Sequence, residues 1–320
     1  MPRVHLKPMQ LMLLVIVLVV IVVAVFMSYR YAMTIVHPAR VPVTVLPSSV
    51  GIEQWYNARF KTSDDLNLYG WYIPPPPIDR GEGKIEKGAT VVLVHGLGAN
   101  RVNLLEHAAI LIEHGYGVLL FDLRNHGESD GTITTLGYLE PEDVLAALRY
   151  LREQAEVNPD RIVLFGQSMG GAAVIRAAAQ VATGEADTLT PDARAIIVES
   201  TFSTLEENIA QGVQTFTGLP SFPFAPMILL FGQLEVGVSI AQVRPIEQLA
   251  DLSPRPILIL HGEQDRLIDA DNADRLYTAA GEPKELVLFP SAAHAETLEN
   301  NAELWQRRVI GFLDRYARDA

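Results

Sequence analysis

From about residue 89 onward, short and continuous apolar runs alternate with segments of helical periodicity. A run without polar alternation predicts a strand buried on both faces, as in a parallel sheet covered by helices. The alternation therefore predicts a doubly wound α/β sheet, and a hairpin near residue 64 predicts an antiparallel edge. The predicted strands are Glu53–Phe60, Leu66–Ile73, Ala89–Val94, Val118–Phe121, Arg161–Phe165, Ala195–Val198, Pro256–Leu260 and Leu286–Phe289. The predicted helices are Leu104–His114, Pro141–Gln154, Gly170–Val181, Asp271–Ala280 and Glu296–Ala317.

The composition excludes several classes of protein. Hydrophobic residues make up 49% of the 320 residues and charged residues 20%, which is typical of a folded chain. The absence of cysteine excludes disulfide scaffolds, cysteine-ligated zinc, iron–sulfur clusters and thiol catalysis. Residues 1–40 hold four basic residues and no acidic one, so the other 280 residues carry a formal net charge of −17. An acidic body without a Lys/Arg cluster predicts no nucleic-acid partner.

An unbroken apolar run, Leu11–Met27, lies near the N-terminus, and no charge occurs between Lys7 and Arg30. As a helix, residues 9–29 would be about 31 Å long, which matches a hydrocarbon core of about 30 Å. The run therefore predicts a single-pass membrane anchor rather than a cleaved signal peptide, whose apolar core is shorter. A cleaved signal peptide and a buried core helix are the alternatives. The charges that flank the run slightly favour a cytoplasmic N-terminus, with the body on the extracytoplasmic side.

The domain organisation follows from these patterns. Residues 1–40 are predicted to be the anchor and a linker, with prolines marking a linker over residues 31–50, and residues 41–320 the α/β domain. More than 50 residues between Glu199 and Pro256 contain no clear strand. A loop that long is usually functional or helical. Residues 203–250 are therefore either a cap over an apolar substrate pocket or ordinary packing helices.

The nucleophile is predicted from the segment that joins a buried strand to an alanine-rich helix. It reads Gly166-Gln167-Ser168-Met169-Gly170, which is a G-x-S-x-G pattern between a strand and a helix. A turn this tight has no room for side chains at Gly166 and Gly170, and it lifts the Ser168 hydroxyl out of the backbone. The helix N-terminus behind the serine favours negative charge at a reacting oxygen.

A serine hydroxyl needs a base, and eight histidines are available. His294 follows the last predicted strand and precedes the final helix, so its loop can place the imidazole over the carboxyl ends of the strands. His95 and His261 each end a strand and precede glycine, which predicts hydrogen-bonded loop roles for them. His294 is therefore the predicted base.

The base in turn needs a carboxylate that orients it. Asp265 follows the strand before His294 and is the predicted acid. Asp269 and Asp271 are rivals, although they are better placed to cap the next helix. Glu199, at the end of its own strand, is a third rival.

Backbone N–H groups are needed to stabilise an oxyanion. The strand that ends at Val94 runs into His95-Gly96-Leu97-Gly98. The N–H of Leu97, paired with that of Met169 directly after the serine, is predicted to form the oxyanion hole.

Together these segments resemble the α/β-hydrolase superfamily, and they occur in the family's order over roughly residues 53–317. With its N-terminal apolar run, the chain looks most like the membrane-anchored serine hydrolases of that superfamily, which include lipases, lysophospholipases and protein depalmitoylases. The resemblance implies an eight-stranded, mostly parallel sheet with helices on both faces and cofactor-free ester or thioester hydrolysis. It carries over Ser168, Asp265 and His294 as the catalytic triad, and Leu97 and Met169 as the oxyanion hole. The His-Gly-Leu-Gly turn departs from the His-Gly-Gly-Gly of one esterase branch.

The expected function is therefore hydrolysis of carboxylic esters with lipid-like acyl groups, through an acyl-enzyme and without cofactor or metal. Acyl thioester hydrolysis, including that of acyl-protein thioesters, is an alternative because the same triad serves both reactions. A non-catalytic, membrane-anchored binding protein is another alternative. A dinucleotide site at Gly96–Arg101 is disfavoured because Arg101 occupies the place of the third glycine. A calcium loop beginning at Asp269 lacks the required glycine and final glutamate.

Overall fold

A computed structural model describes residues 7–79, 81 and 85–318. A central sheet of eight strands organises this part of the chain, and two very short strands form a separate hairpin. The strands are β1 (Tyr56–Lys61), β2 (Asn67–Ile73), β3 (Ile78–Asp79), β4 (Ile85–Glu86), β5 (Thr90–Val94), β6 (Gly117–Phe121), β7 (Ile162–Gln167), β8 (Ala195–Glu199), β9 (Ile257–Gly262) and β10 (Lys284–Phe289).

The strand order in the sheet is β1-β2-β6-β5-β7-β8-β9-β10. β1 and β2 pair antiparallel, β2 pairs antiparallel with β6, and the strands from β6 to β10 are parallel. The predicted fold class is therefore confirmed, including the antiparallel edge. The predicted strand bounds differ from these by at most three residues at either end.

Strand β5 explains why helices cover both faces of the sheet. Its residues alternate between two hydrophobic cores: Val92 and Val94 belong to one, and Val91 and Leu93 to the other. Since successive strand residues point to opposite faces, an all-apolar strand is stable only with packing on each side. The helices are α1 (Pro8–Val36), α2 (Leu105–Glu113), α3 (Glu140–Arg152), α4 (Met169–Thr183), α5 (Leu205–Thr217), α6 (Ser221–Val236), α7 (Pro245–Gln248), α8 (Asp271–Ala279), α9 (Thr297–Asn300) and α10 (Ala302–Leu313).

The predicted final helix, Glu296–Ala317, is not continuous. It is divided into α9 and α10 at Asn301, whose side chain accepts a hydrogen bond from the Leu304 N–H. Asparagine competes for backbone hydrogen bonds in this way and therefore favours a helix start over a helix interior. The chain then turns through a short π-helix, Asp314–Arg318.

Helix α1 is longer than the predicted span of residues 9–29 and includes residues 31–36, which were predicted to be linker. The reason is packing: Ser28, Ala32 and Val36 lie on one face of the helix and are buried against the body. Residues 9–23 are exposed. The helix is long and apolar enough to cross a membrane, a property that a signal sequence near an N-terminus shares.

The C-terminal end of α1 is tied to the body by hydrogen bonds. His37 Nε2 lies 2.7 Å from Glu235 Oε1 at the end of α6, and the Thr134 N–H donates to the Val36 carbonyl at 2.8 Å. The rings of Tyr29 and Phe231 meet edge to face at 5.7 Å. Helices α1 and α6 therefore run side by side in the same direction.

Residues 200–256 contain no strand, and they form α5, α6, α7 and short 3-10 turns. Helix α6 contains Pro226 and carries apolar side chains around much of its surface. It is sandwiched between α1 and α5. Helix α5 borders the cavity at the carboxyl end of β7, and a cap formed by residues 203–250 stays a prediction.

Candidate active site

Ser168 lies at the turn between β7 and α4, in a backbone conformation that L-residues rarely adopt, with φ 56° and ψ −120°. A Cβ on Gly166 would lie 2.4 Å from the Gly170 carbonyl oxygen, and a Cβ on Gly170 would lie 2.3 Å from that of Val94. The Ser168 N–H donates to the Glu199 carbonyl at 2.8 Å, which attaches the turn to β8. The two glycines therefore allow the close packing that holds the serine at the carboxyl end of the sheet.

The structure brings together the three side chains predicted to act in catalysis. His294 Nε2 lies 3.0 Å from Ser168 Oγ, and His294 Nδ1 lies 2.7 Å from Asp265 Oδ2. The other oxygen of Asp265 accepts hydrogen bonds from the Leu267 and Ile268 N–H groups at 2.9 and 2.8 Å. The backbone thus fixes this carboxylate, and the carboxylate fixes which ring nitrogen of His294 carries the proton.

None of the three rival carboxylates, each of which is among the described residues, is hydrogen-bonded to His294, whose Nδ1 faces Asp265. Asp269 and Asp271 are exposed at the start of α8, but the prediction that they cap this helix is wrong, because Ala270, whose side chain makes no capping hydrogen bond, occupies the N-cap. Glu199 is fully buried. Its Oε1 accepts hydrogen bonds from the N–H and hydroxyl of Thr297, at 3.1 and 2.5 Å.

Glu199 and two neighbours hold the loop that carries His294, a function that the sequence analysis missed. The Gln167 side chain donates to Glu199 Oε2 at 3.3 Å and to the Ala295 carbonyl at 3.2 Å. The Ala295 N–H donates to Ser200 Oγ at 3.0 Å. Ala295 itself has a positive φ of 60°, so these contacts hold a strained residue directly after the histidine. The only sequence signal for Gln167, Glu199 and Ser200 as positioning residues was their location at the ends of β7 and β8.

Replacing Glu199 with glutamine is expected to destabilise the protein at pH 7 by roughly 1–3 kcal/mol, because charge-assisted hydrogen bonds are lost. Burial alone would raise the pKa of Glu199, but the nearby His107 ring and the Thr297 hydrogen bonds lower it below its ordinary value of 4.5. A lowered carboxyl pKa contributes stability above the unfolded-state value, which is lost as pH falls through the folded-state value. Thermal unfolding from pH 7 to pH 3 should therefore show the difference between wild type and Glu199→Gln shrinking below about pH 4.5. A difference that stays constant would contradict this role.

The predicted oxyanion-hole residues lie on two sides of the serine. Leu97 and Met169 both line the cavity that contains Ser168 Oγ. Among the described residues, neither backbone N–H has a hydrogen-bond acceptor, so both are available to a ligand. A Cβ on Gly96 would lie only 3.0 Å from the Ser168 Cβ, which shows how closely the Leu97 turn approaches the nucleophile.

Two buried histidines shape that turn. His95 accepts a hydrogen bond from the Leu123 N–H at Nε2, and its Nδ1 lies 2.8 Å from the Gly96 carbonyl. His126 Nε2 accepts from the Gly98 N–H at 3.1 Å. Burial lowers the pKa of His95 to about 3 and also lowers the pKa of His126, so both rings are neutral at physiological pH. Both rings hold the Leu97 turn through hydrogen bonds to backbone groups, which is the role predicted for His95.

The serine opens into a cavity of about 300 Å³ with mostly apolar walls. The contribution of the N-terminal helix to these walls is not predicted by the sequence pattern. Besides the catalytic candidates and the residues of the Leu97 turn, the cavity is lined by Tyr31 and Ile35 of α1, by Leu205, Asn208, Ile209 and Gly212 of α5, and by Phe202, Leu267 and Ile268.

The glycine-rich turn has no features of a nucleotide site. Arg101, in place of the third glycine, is buried and pairs with Asp122 at 2.7 Å, and its guanidinium lies 4.3 Å from the centre of the Trp71 ring. The Asp122 carboxylate, which a ribose would need, is thereby occupied. Within residues 7–79, 81 and 85–318, no three His, Asp or Glu side chains are arranged to hold a metal ion.

Residues 91–307 match the alpha/beta hydrolase family, and this span includes the serine, the histidine and the aspartate above. The chain belongs to this family. It is 33% identical over 258 residues to the uncharacterized protein YfhR of Salmonella typhi, covering 79% of this chain and 80% of that protein. It is 27% identical over 264 residues to the alpha/beta hydrolase domain-containing protein WAV2 of Arabidopsis thaliana, covering 80% and 78%.

Solved structures of alpha/beta hydrolases share the fold. The Pyrococcus furiosus esterase Pf2001 superposes with a TM-score of 0.70 at 24% identity, over 88% of this chain and 98% of that one. At this identity the likeness establishes the fold alone. Family membership supports hydrolase activity in general, and the predicted resemblance to α/β-hydrolases is confirmed.

Proposed function

We propose that this alpha/beta hydrolase cleaves carboxylic esters with lipid-like acyl groups, using Ser168 as nucleophile, His294 as base and Asp265 as the group that orients His294. The observation that carries the proposal is the continuous series of short contacts, 3.0 Å from serine to imidazole and 2.7 Å from imidazole to carboxylate. These distances allow direct proton transfer from the hydroxyl to His294 Nε2.

In the first half of the reaction, Ser168 Oγ attacks the ester carbonyl carbon while its proton passes to His294 Nε2. The N–H groups of Leu97 and Met169 donate to the negative oxygen that forms. The C–O bond to the alcohol then breaks, and His294 returns the proton to that leaving oxygen. An acyl-serine remains.

In the second half, His294 removes a proton from a water molecule, which attacks the acyl carbon. The serine oxygen leaves and takes the proton back from His294, so the free acid is released and the enzyme is restored. The buried Asp265 carboxylate stabilises the imidazolium in both halves.

The substrate class is proposed from the surroundings of the serine. Most of the cavity wall is apolar, and α1, α5 and residues 267–268 contribute apolar side chains to it, which favours a hydrocarbon chain over a polar group. We further propose that α1 is a single membrane span and that the body lies on the extracytoplasmic side. The basis for this is the small excess of positive charge before residue 9.

An active-site probe tests the proposal. The full-length protein in detergent is expected to react with a fluorophosphonate, and labelling should be abolished in Ser168→Ala. Ser49→Ala, which removes an exposed serine hydroxyl that does not line the cavity, should label like wild type. The same preparations should be assayed with matched oxoesters and thioesters. A folded wild-type protein that is neither labelled nor active would support the non-catalytic alternative.

A further inference from the structure

Helix α1 contributes one wall of the cavity that contains the serine. Tyr31 and Ile35, one helical turn apart on the same face, border this cavity together with Ser168 and His294. Anchoring alone would not require the helix to border the cavity that contains Ser168. The position of this wall is fixed, because Val36 and His37, the two residues after Ile35, are hydrogen-bonded to the body.

A second and smaller cavity, of about 100 Å³, lies nearer the N-terminal end of α1, between that helix, α5 and α6. Its walls are almost entirely apolar. Tyr31 and Gly212 border both cavities, so they form the division between them. The remaining lining residues are Met27, Ser28, Val213, Thr217, Leu219, Phe224 and Ile228.

The second cavity lies nearer than the first to the exposed N-terminal part of α1, which is the part proposed to enter the membrane. Helix α6 runs parallel to α1, with Glu235 beside His37 and its first turns beside Met27 and Ser28. The cavity is therefore displaced from the serine toward the exposed apolar stretch of α1. From Ile35 to Met27 the two cavities follow α1 for eight residues, about 12 Å. Phe222, which is 76% exposed, lies at the same end of α6.

We propose that these two cavities form one acyl-chain channel, through which a chain embedded in the bilayer reaches Ser168, with Tyr31 and Gly212 as its constriction. This rests on the proposed ester hydrolysis. The carbonyl lies at Ser168, and the chain passes the constriction and continues along α1 into the leaflet. The substrate class is then an acyl ester of a membrane lipid rather than a water-soluble ester. A hydrocarbon chain in such a channel exchanges one apolar environment for another and need not cross water.

Filling the constriction tests the channel. A Cβ on Gly212 has only the Tyr31 hydroxyl within 4 Å, at 3.9 Å, so a first carbon fits and the ring in Gly212→Phe would fill the gap. The quantity to measure is the ratio of kcat/KM for a p-nitrophenyl decanoate to that for the acetate, which does not depend on the fraction of active enzyme. We expect Gly212→Phe to lower this ratio at least about tenfold, because the distal methylenes lose their apolar site. Gln214→Phe, exposed on the opposite face of α5, is the matched control and should keep the wild-type ratio.

A reversible block at the membrane end gives a second test that leaves the sequence near the serine intact. Because the chain contains no cysteine, Met27→Cys introduces a single thiol at the wall of the second cavity. Modification with an alkyl methanethiosulfonate should reduce hydrolysis of 4-methylumbelliferyl oleate carried in phosphatidylcholine vesicles, and reduction of the mixed disulfide should restore it. Phe26→Cys, which is 62% exposed and lines neither cavity, should be insensitive to the same treatment.

The outcomes separate the two proposals. A wild-type protein without activity on either the acetate or the decanoate would refute the proposed ester hydrolysis. Activity on both esters, with an unchanged ratio in Gly212→Phe and no effect of blocking at residue 27, would overturn the channel and leave ester hydrolysis standing.

Discussion

Replacement of His294 with alanine is expected to lower kcat for a short p-nitrophenyl ester by on the order of 10⁴ or more. His294 is the only described side chain within hydrogen-bond distance of the Ser168 hydroxyl, at 3.0 Å. Without it the serine proton has no acceptor, and the leaving alcohol has no donor. Steady-state kinetics on the purified full-length protein in detergent measures the loss, and thermal unfolding reports whether the variant is folded.

Variants of the other two residues test whether Ser168, His294 and Asp265 act together in one catalytic step or contribute independently to kcat. Ser168→Ala should cost as much as His294→Ala, Asp265→Ala should cost less, and a double Ser168→Ala/His294→Ala variant should lose little more than either single change, since the residues act as a unit. A folded His294→Ala protein with near-normal activity would disprove its assignment as the base. Additive losses in the double variant would contradict a shared step.

The second large effect is structural. Gly170→Ala is expected to destabilise the protein by about 3 kcal/mol or more, at the upper end of the cost of overpacking. The new Cβ would lie 2.3 Å from the Val94 carbonyl oxygen and 2.5 Å from that of His95. Both are backbone atoms at the end of the central strand β5, so they cannot rotate away as a side chain can. Thermal unfolding in detergent, together with the loss of fluorophosphonate labelling, measures the effect.

The neighbouring Gly171 provides a contrasting control. Its Cβ would lie 1.8 Å from Thr201 Oγ1, a side-chain atom. Gly171→Ala alone should therefore also destabilise, but the added change Thr201→Ala should restore part of the lost stability. The same added change should not improve Gly170→Ala. If Thr201→Ala restored stability equally in both variants, the clash with the β5 backbone would not be the cause of the destabilisation in Gly170→Ala.

Much of the site was predictable from the sequence because its chemistry is local. The elbow at Ser168 requires glycine at particular spacings, and these glycines follow a recognisable buried strand. Asp265 follows the buried strand β9, and His294 follows the partly buried edge strand β10. Parallel strands place their carboxyl ends at one edge, so residues 168, 265 and 294 were expected to meet although more than 120 residues separate the first from the last.

Other features depended on partners that the local pattern does not identify. The sequence offered four acidic residues for one role and favoured Asp265, which the fold places beside His294, but only the fold shows that Glu199 is held by Thr297. The continuation of α1 through residues 31–36 was likewise decided by burial of Ala32 and Val36 against the body. Proximity to prolines had predicted a linker there.

Neighbouring residues alone therefore specify the α/β-hydrolase architecture, the tight turn at Ser168 and an apolar N-terminal helix, because strand burial, tight turns and long apolar runs are local properties of the chain. That Tyr31 and Ile35 of this helix line the same cavity as Ser168 follows instead from the packing of distant elements. The reason is physical: a hydrophobic helix can pack on any apolar surface, and the shapes of α5 and α6 determine which one it covers.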